Sequence, residues 1–214
     1  MESQYQDILH LLSSSFLFRG LNPLQLQEIA RKTRYLTYKP GRILIEEGLV
    51  NDKIIFISQG LVKIYKLTSQ GKEIFLALEK TNDILGVMDL HNKPASATIE
   101  ALQPTRVLVF HKKDLIALLQ TNPFLWERMY NVILAKLEDY RELQSIRLGN
   151  DLYQRTYLLL TFLSQFLENK TITLSQEALA NIVGATRPRV TEVLHLLRNA
   201  KKISMSSKKI TLLA

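Results

Sequence analysis

Residues 174–198 read LSQEALANIVGATRPRVTEVLHLLR. Apolar residues recur at helical spacing twice, first as Leu179, Ile182 and Val183, then as Val190, Val193, Leu194 and Leu197. Between the two sets stands Gly184, suited to the left-handed position that ends a helix. Ser175 reads as the N-cap of the first helix, its hydroxyl accepting one of the backbone N–H groups that a helix start leaves orphaned. Thr186 reads as the cap of the second. Pro188 then falls in that helix's first turn, where its missing N–H costs little and its fixed φ favours the start. Two short helices joined around a glycine predict a helix-turn-helix. In that geometry the second helix enters the DNA major groove by its N-terminal end. Its early positions, expected to be exposed, are Arg187, Arg189, Thr191 and Glu192. An arginine can donate to both O6 and N7 of guanine, and others neutralise phosphate and make affinity salt-dependent. The bland alternative is a solvated helix with scattered arginines.

Charge favours the first reading. From residue 150 to the end there are nine Lys and Arg against four Asp and Glu, a surplus of five in under a third of the 214 residues. The whole chain carries 28 against 20, a basic balance that suits a polyanionic partner. The ending KKISMSSKKITLL alternates like two strands around Ser206-Ser207, and its Lys208 and Lys209 would lie over the DNA backbone as a wing. There is no cysteine, which excludes disulfides, thiolate zinc sites, cysteine-ligated iron–sulfur clusters and thiol catalysis. His10, His91, His111 and His195 show no metal-ligand spacing, so no metal is expected. No Ser-His-Asp order, glycine-framed carboxylate pair or phosphate loop is present, and no enzyme is expected. No run approaches the ~18 uncharged apolar residues of a membrane span. The N-terminal MESQYQDILHLLSSS lacks the parts of a signal peptide, so a cytoplasmic protein is expected.

Upstream the period changes twice. Residues 5–34 read as short helices punctuated by Gly20 and Pro23. From about Tyr35 to Phe110 the pattern is strand-like: IIFISQG (54–60), LVKIYKL (61–67), EIFLALE (73–79) and TRVLVF (105–110), separated by turn signals. Many short strands at such spacing predict a β-roll or jelly-roll barrel, with a sandwich of another topology left open. From Lys112 the period is helical, and FLWERMYNVILAKLEDYRELQSI holds no Gly or Pro. Trp126, Tyr130, Ile133, Leu137 and Tyr140 alternate steps of four and three, the seam of a coiled coil. Such a seam predicts a dimerisation helix, although a helix packed on its own barrel needs a similar stripe. Gly149-Asn150-Asp151 marks a hinge or helix end. The expected architecture is α+β: a β-roll sensor domain over 1–121, a dimerisation helix over 122–149 and a winged helix-turn-helix over 150–214.

This order of parts resembles the cyclic-AMP receptor/fumarate-nitrate regulator (CRP/FNR) family of bacterial transcription factors. The resemblance runs through FLFRGLNPLQLQEIA, KPGRILIEEG, IIFISQGLVKIYK, GKEIFLALE, the long helix and LSQEALANIVGATRPRVTEVLHLLR. It implies a jelly-roll domain like those that bind cyclic nucleotides, a homodimer, a palindromic double-stranded DNA site, and RNA polymerase as a further partner. By resemblance Arg187 matches the base-reading arginine, Thr186 a phosphate-contacting residue, and Ser175 and Gln176 positions near phosphate. Many members carry arginine where Glu192 stands, which implies an operator unlike the best-known half-sites.

The resemblance also places an effector pocket along DILGVMDLHNKPASATIEA. Cyclic-AMP-binding members carry a glutamate after the glycine and an Arg-Ser or Arg-Thr pair further on. Here Gly86 matches the glycine, but Val87 and Ala95-Ser96 stand in those places. A buried phosphate without its guanidinium loses most of its charge-assisted bonds, so cyclic AMP is not expected. Leu85-Gly86-Val87-Met88 looks more like the 2-oxoglutarate-responsive nitrogen-regulator branch. That makes 2-oxoglutarate or a similar dicarboxylate a candidate, with Lys136 able to hold a carboxylate as a point charge. An unidentified ligand or none is the other expectation. A ligand-sensing or scaffold module, binding protein or DNA without sequence preference, is the alternative function.

Overall fold

A computed structural model describes residues 2–87, 93–149, 151–165, 167, 170–206 and 209–213. The chain divides into two compact units, one of residues 1–66 and 78–137, the other of 67–77 and 138–214.

The first unit opens with helices α1 (Glu2–Ser14) and α2 (Pro23–Lys32). Asn22 starts α2 with a capping box, its side chain accepting from Gln25 N–H while Gln25 Oε1 accepts from Asn22 N–H. The strands follow: β1 (Arg34–Tyr38), β2 (Ile43–Ile45), β3 (Lys53–Gln59), β4 (Leu61–Leu67), β5 (Glu73–Lys80), β6 (Ile84–Leu85), β7 (Thr98–Ala101) and β8 (Thr105–His111). They form two four-stranded sheets, ordered β1-β8-β3-β6 and β2-β7-β4-β5. The first sheet explains the unbroken apolar run of IIFIS. Side chains alternate across a strand, so Ile55 and Ile57 join Val62, Leu85, Ile99, Val107 and Val109 in one core. Ile54 and Phe56 face the other way and pack with Leu108, Phe110, Phe18 and the helices α1, α2 and α3 (Lys112–Thr121). Both faces are covered, so both are apolar. The α+β roll is therefore as expected.

Helix α4 spans Phe124–Gly149. Leu125 and Met129 are buried in the first unit, and Leu143 and Ile146 are buried among the residues of the second. The contact boundary falls within the helix, between 137 and 138, whereas the sequence pattern set off 122–149 as a separate segment. Trp126, Tyr130, Ile133, Leu137 and Tyr140 remain 41–60% exposed. The stripe is thus only partly covered by its own chain.

In the second unit Asp151 caps α5 (Leu152–Ser164) by accepting from Gln154 N–H at 2.9 Å. Helices α6 (Gln176–Val183) and α7 (Arg187–Asn199) pack on α5 through Leu179, Ile182, Val183, Val190, Leu194 and Leu197. Strands β10 (Ile203–Ser206) and β11 (Lys209–Leu212) form the expected hairpin, with Ser206 opposite Lys209. The short strand β9 (Thr171–Ile172), ahead of α6, joins β11 as its third strand, Ile172 opposite Ile210. The hairpin tip between β4 and β5 also belongs here. Phe75 C=O accepts from Arg147 Nη1, and Leu76 C=O from Gln144 Nε2, both at 3.4 Å.

Candidate nucleic-acid interface

The turn between α6 and α7 is built as the sequence requires at three of its four signals. Ser175 Oγ accepts from Ala178 N–H at 3.1 Å, which leaves its O–H proton for another acceptor. Gly184 sits at φ +72°, ψ +46° and sends its N–H to Ala180 C=O. Pro188 occupies the first turn of α7. The fourth signal differs: Thr186 holds the N-cap position but its side chain makes no capping bond. Arg189 N–H, equivalent to the Ala178 N–H that Ser175 caps on α6, is open to an N-cap side chain, and Thr186 does not take it. Thr186 is exposed, so its hydroxyl faces solvent uncommitted.

One stripe of α7, Val190, Val193, Leu194 and Leu197, is buried. Arg187, Arg189, Glu192, His195 and Arg198 are exposed. No ion pair joins Glu192 to Arg189 among the described residues. Thr191 departs from expectation. It is half-buried, and its Oγ1 donates to Gln176 Oε1 at 2.7 Å, with Arg187 C=O at 2.9 Å. Its hydroxyl is thus engaged within the motif rather than offered on the open face. The spacing that joins residues fifteen apart is set by helix packing, and periodicity carries no sign of it. Lys209 is exposed on β11, while Lys208 lies outside the described residues. Lys202, by contrast, sits over the rings of Tyr157 and Tyr153, its Nζ 4.4 and 5.5 Å from their centroids.

The effector segment placed by resemblance is described in part. Leu85, Val87 and Ala95 are buried, Ser96 is exposed, and Met88 and His91 lie outside the described residues. Gly86 is there for geometry: at φ +85°, a Cβ would stand 2.4 Å from the Lys53 carbonyl oxygen. Lys136, expected to await a carboxylate, already has one. Its Nζ pairs with Glu79 Oε2, and both side chains are largely buried. Burial pushes the Glu79 carboxyl up to about 8, against the pull of Lys136, with Asp83 adding to the rise. Glu79 was legible in principle. Along β5 it shares the alternate positions of the buried Phe75, which put it on an inward face. No cluster of potential metal ligands occurs among the described residues.

Known proteins match both halves. Residues 35–122 match the cyclic nucleotide-binding domain and residues 154–214 the Crp-like helix-turn-helix domain. Similar curated proteins include the cyclic AMP receptor protein of Thermus thermophilus, 24% identical over 188 residues that cover 87% of each chain. The global nitrogen regulator of Nostoc sp. PCC 7120 is 26% identical over 185 residues, 82% of this chain and 83% of that one. Among solved structures, FixK2 from Bradyrhizobium japonicum superposes with a TM-score of 0.75 at 15% identity, covering 85% of this chain and 93% of its own. A CRP-family transcriptional regulator from Thermus thermophilus gives 0.72 at 19%, covering 84% and 92%. At such identities the structural likeness speaks for the fold. The fold and the exposed α7 define a DNA-binding protein that carries a cyclic-nucleotide-binding-type roll and a winged helix-turn-helix. The chain belongs to the CRP/FNR family of transcription regulators.

Proposed function

We propose that the protein regulates transcription as a homodimer that reads a two-fold-symmetric operator, with α7 of each copy in the major groove. The observation that carries this reading is the division of α7: one stripe buried, and Arg187, Arg189 and Glu192 all on the open side. Arg187 donates to a guanine, Arg189 reaches a neighbouring base or the backbone, and Glu192 accepts from a cytosine N4. Thr186, Ser175 and Gln176 donate to phosphate, Lys208 and Lys209 follow the backbone from the wing, and RNA polymerase is the partner that reads the outcome. The exposed seam of α4 supports the dimer, and Trp126, Tyr130, Ile133, Leu137 and Tyr140 would meet their counterparts. The setting is the cytoplasm, where a bacterial regulator meets its DNA; no described helix is long and apolar enough to cross a membrane.

For the roll we infer an effector other than cyclic AMP, or none. Ala95 is buried where a phosphate-binding arginine would be needed. A dicarboxylate such as 2-oxoglutarate would have to displace Glu79 from Lys136.

Selection from a random duplex library, with and without cell metabolites, tests the operator and the effector together. An enriched palindrome is expected; no enrichment overturns the reading. Arg187→Ala separates it from a non-specific scaffold. Specific readout predicts a loss of about 1–3 kcal/mol and relaxed choice at one base position, whereas a scaffold weakens alike on every sequence.

A further inference from the structure

The two helices of the motif are joined by a side-chain bond that no requirement of helix formation explains. Thr191 Oγ1 also lies 2.9 Å from Arg187 C=O, and a threonine bonding one turn back in its own helix is ordinary. The contact at 2.7 Å with Gln176 Oε1 is different, because it crosses from α7 to α6. Gln176 is the first residue of α6, half-buried, directly after the capping Ser175. Its amide carries an acceptor on one side and two donors on the other. The Thr191 hydroxyl has a single proton to share between Gln176 Oε1 at 2.7 Å and Arg187 C=O at 2.9 Å, and Oε1 is the nearer acceptor. With Oε1 so engaged, both Nε2 N–H bonds point away from Thr191.

We propose that Thr191 is a positioning residue rather than a base reader: its hydroxyl clamps the Gln176 carbonyl oxygen, so that the Gln176 amide offers its N–H donors to a phosphate of bound DNA. This rests on the reading that α7 enters the major groove. An unclamped amide can turn either edge outward, and the carbonyl edge repels a phosphate. The clamp selects the productive edge before DNA arrives, which saves the ordering cost on binding.

The test uses the full-length protein with Thr191→Val, Gln176→Ala, the double variant and Thr191→Ser, titrated on the operator selected by the wild type and on a random duplex. Valine keeps the branched shape of threonine but has no hydroxyl proton. Thr191→Val is expected to weaken binding roughly 3- to 10-fold on both duplexes, the range of one hydrogen bond. Gln176→Ala should do the same, and the double variant should be no weaker than Gln176→Ala alone, since Thr191 acts only through the amide. Thr191→Ser, which keeps the hydroxyl, should bind like the wild type. Phosphate ethylation interference should lose the same signal in Thr191→Val and Gln176→Ala. A changed base preference or additive losses would make Thr191 a reader and overturn the clamp. A lowered Tm with the interference pattern intact would make Thr191 purely structural and overturn the clamp as well. Binding by Gln176→Ala equal to or tighter than wild type would show that no donor is offered. A wild type that selects no operator would overturn the proposed function, and the positioning role with it.

Discussion

At the scale of single residues, Ser175 and Thr186 hold the same position on successive helices and do different work. Ser175 satisfies an orphan N–H of α6; Thr186 satisfies none on α7. Ser175→Ala should therefore cost about 1 kcal/mol of stability, and Thr186→Ala less than half of that, read as Tm or denaturant midpoint. If Thr186 meets phosphate, its main cost appears in DNA affinity, whereas Ser175→Ala costs stability as well. An equal loss of stability at both positions would mean that Thr186 caps after all. Glu192 carries the other residue-scale prediction. Exposed on α7 with no ion-pair partner among the described residues, it can accept from cytosine N4 and cannot favour phosphate. Glu192→Arg should shift the preferred base at one position in each half-site when the selection is repeated. An unchanged preference would remove Glu192 from the readout.

At the scale of elements, the buried pair between α4 and β5 is the feature that the sequence pattern implied least. Replacing one partner of a buried ion pair leaves the other charge stranded, whereas replacing both by apolar side chains of similar size is often neutral or better. Lys136→Met removes the pull that favours the Glu79 carboxylate, so it should destabilise most above about pH 8, where that carboxylate is charged, and Lys136→Met with Glu79→Leu should recover most of the loss, measured as a double-mutant cycle. The pH dependence follows from the direction of the Glu79 shift. Its carboxyl is raised from 4.5 to about 8 in the folded chain. Its contribution is therefore fully present below pH 4.5 and lost as pH rises toward about 8, because the unfolded chain releases the proton first. Glu79→Gln has no such proton, so its Tm should fall less between about pH 5 and 9 than that of the wild type. A parallel fall would place the pH dependence elsewhere. The two helices and wing of the DNA-binding half were legible because caps, glycine and apolar period act locally, within one or two turns. The strands of the roll were legible for the same reason, through their alternation and turn residues. Thr191 with Gln176 and Lys136 with Glu79 were not, because each joins elements distant in sequence, and no local period records which side chains meet when those elements pack.

At the scale of the whole molecule, α4 decides whether one chain is enough. Five large seam side chains stand 41–60% exposed, and a partner that covered them would take apolar surface out of water. In a single chain, changing them costs little, since they touch solvent already. In a dimer the same positions form the core of the contact, where charge is strongly disfavoured. Ile133→Glu with Leu137→Glu should therefore leave the Tm of dilute protein close to that of the wild type at the same dilution, while sedimentation shows monomer at concentrations where the wild type is paired. DNA affinity should fall with it. Two recognition helices on one dimer gain from the second contact being intramolecular, an advantage of ~10²-fold or more when the spacing fits. A monomer keeps only one half-site, so operator affinity should drop by at least that factor. The slope of log affinity against log salt should also fall roughly by half, since each phosphate neutralised contributes about 0.9 to it. Non-specific binding per recognition helix should be unchanged, because Arg187, Arg189 and the wing are untouched. If the double variant stayed paired in sedimentation, the seam would not be the interface, and the copies would have to meet through another surface. If it became monomeric yet held the operator as tightly, with an unchanged salt slope, the symmetric operator itself would be wrong, and one helix-turn-helix would be reading the whole site.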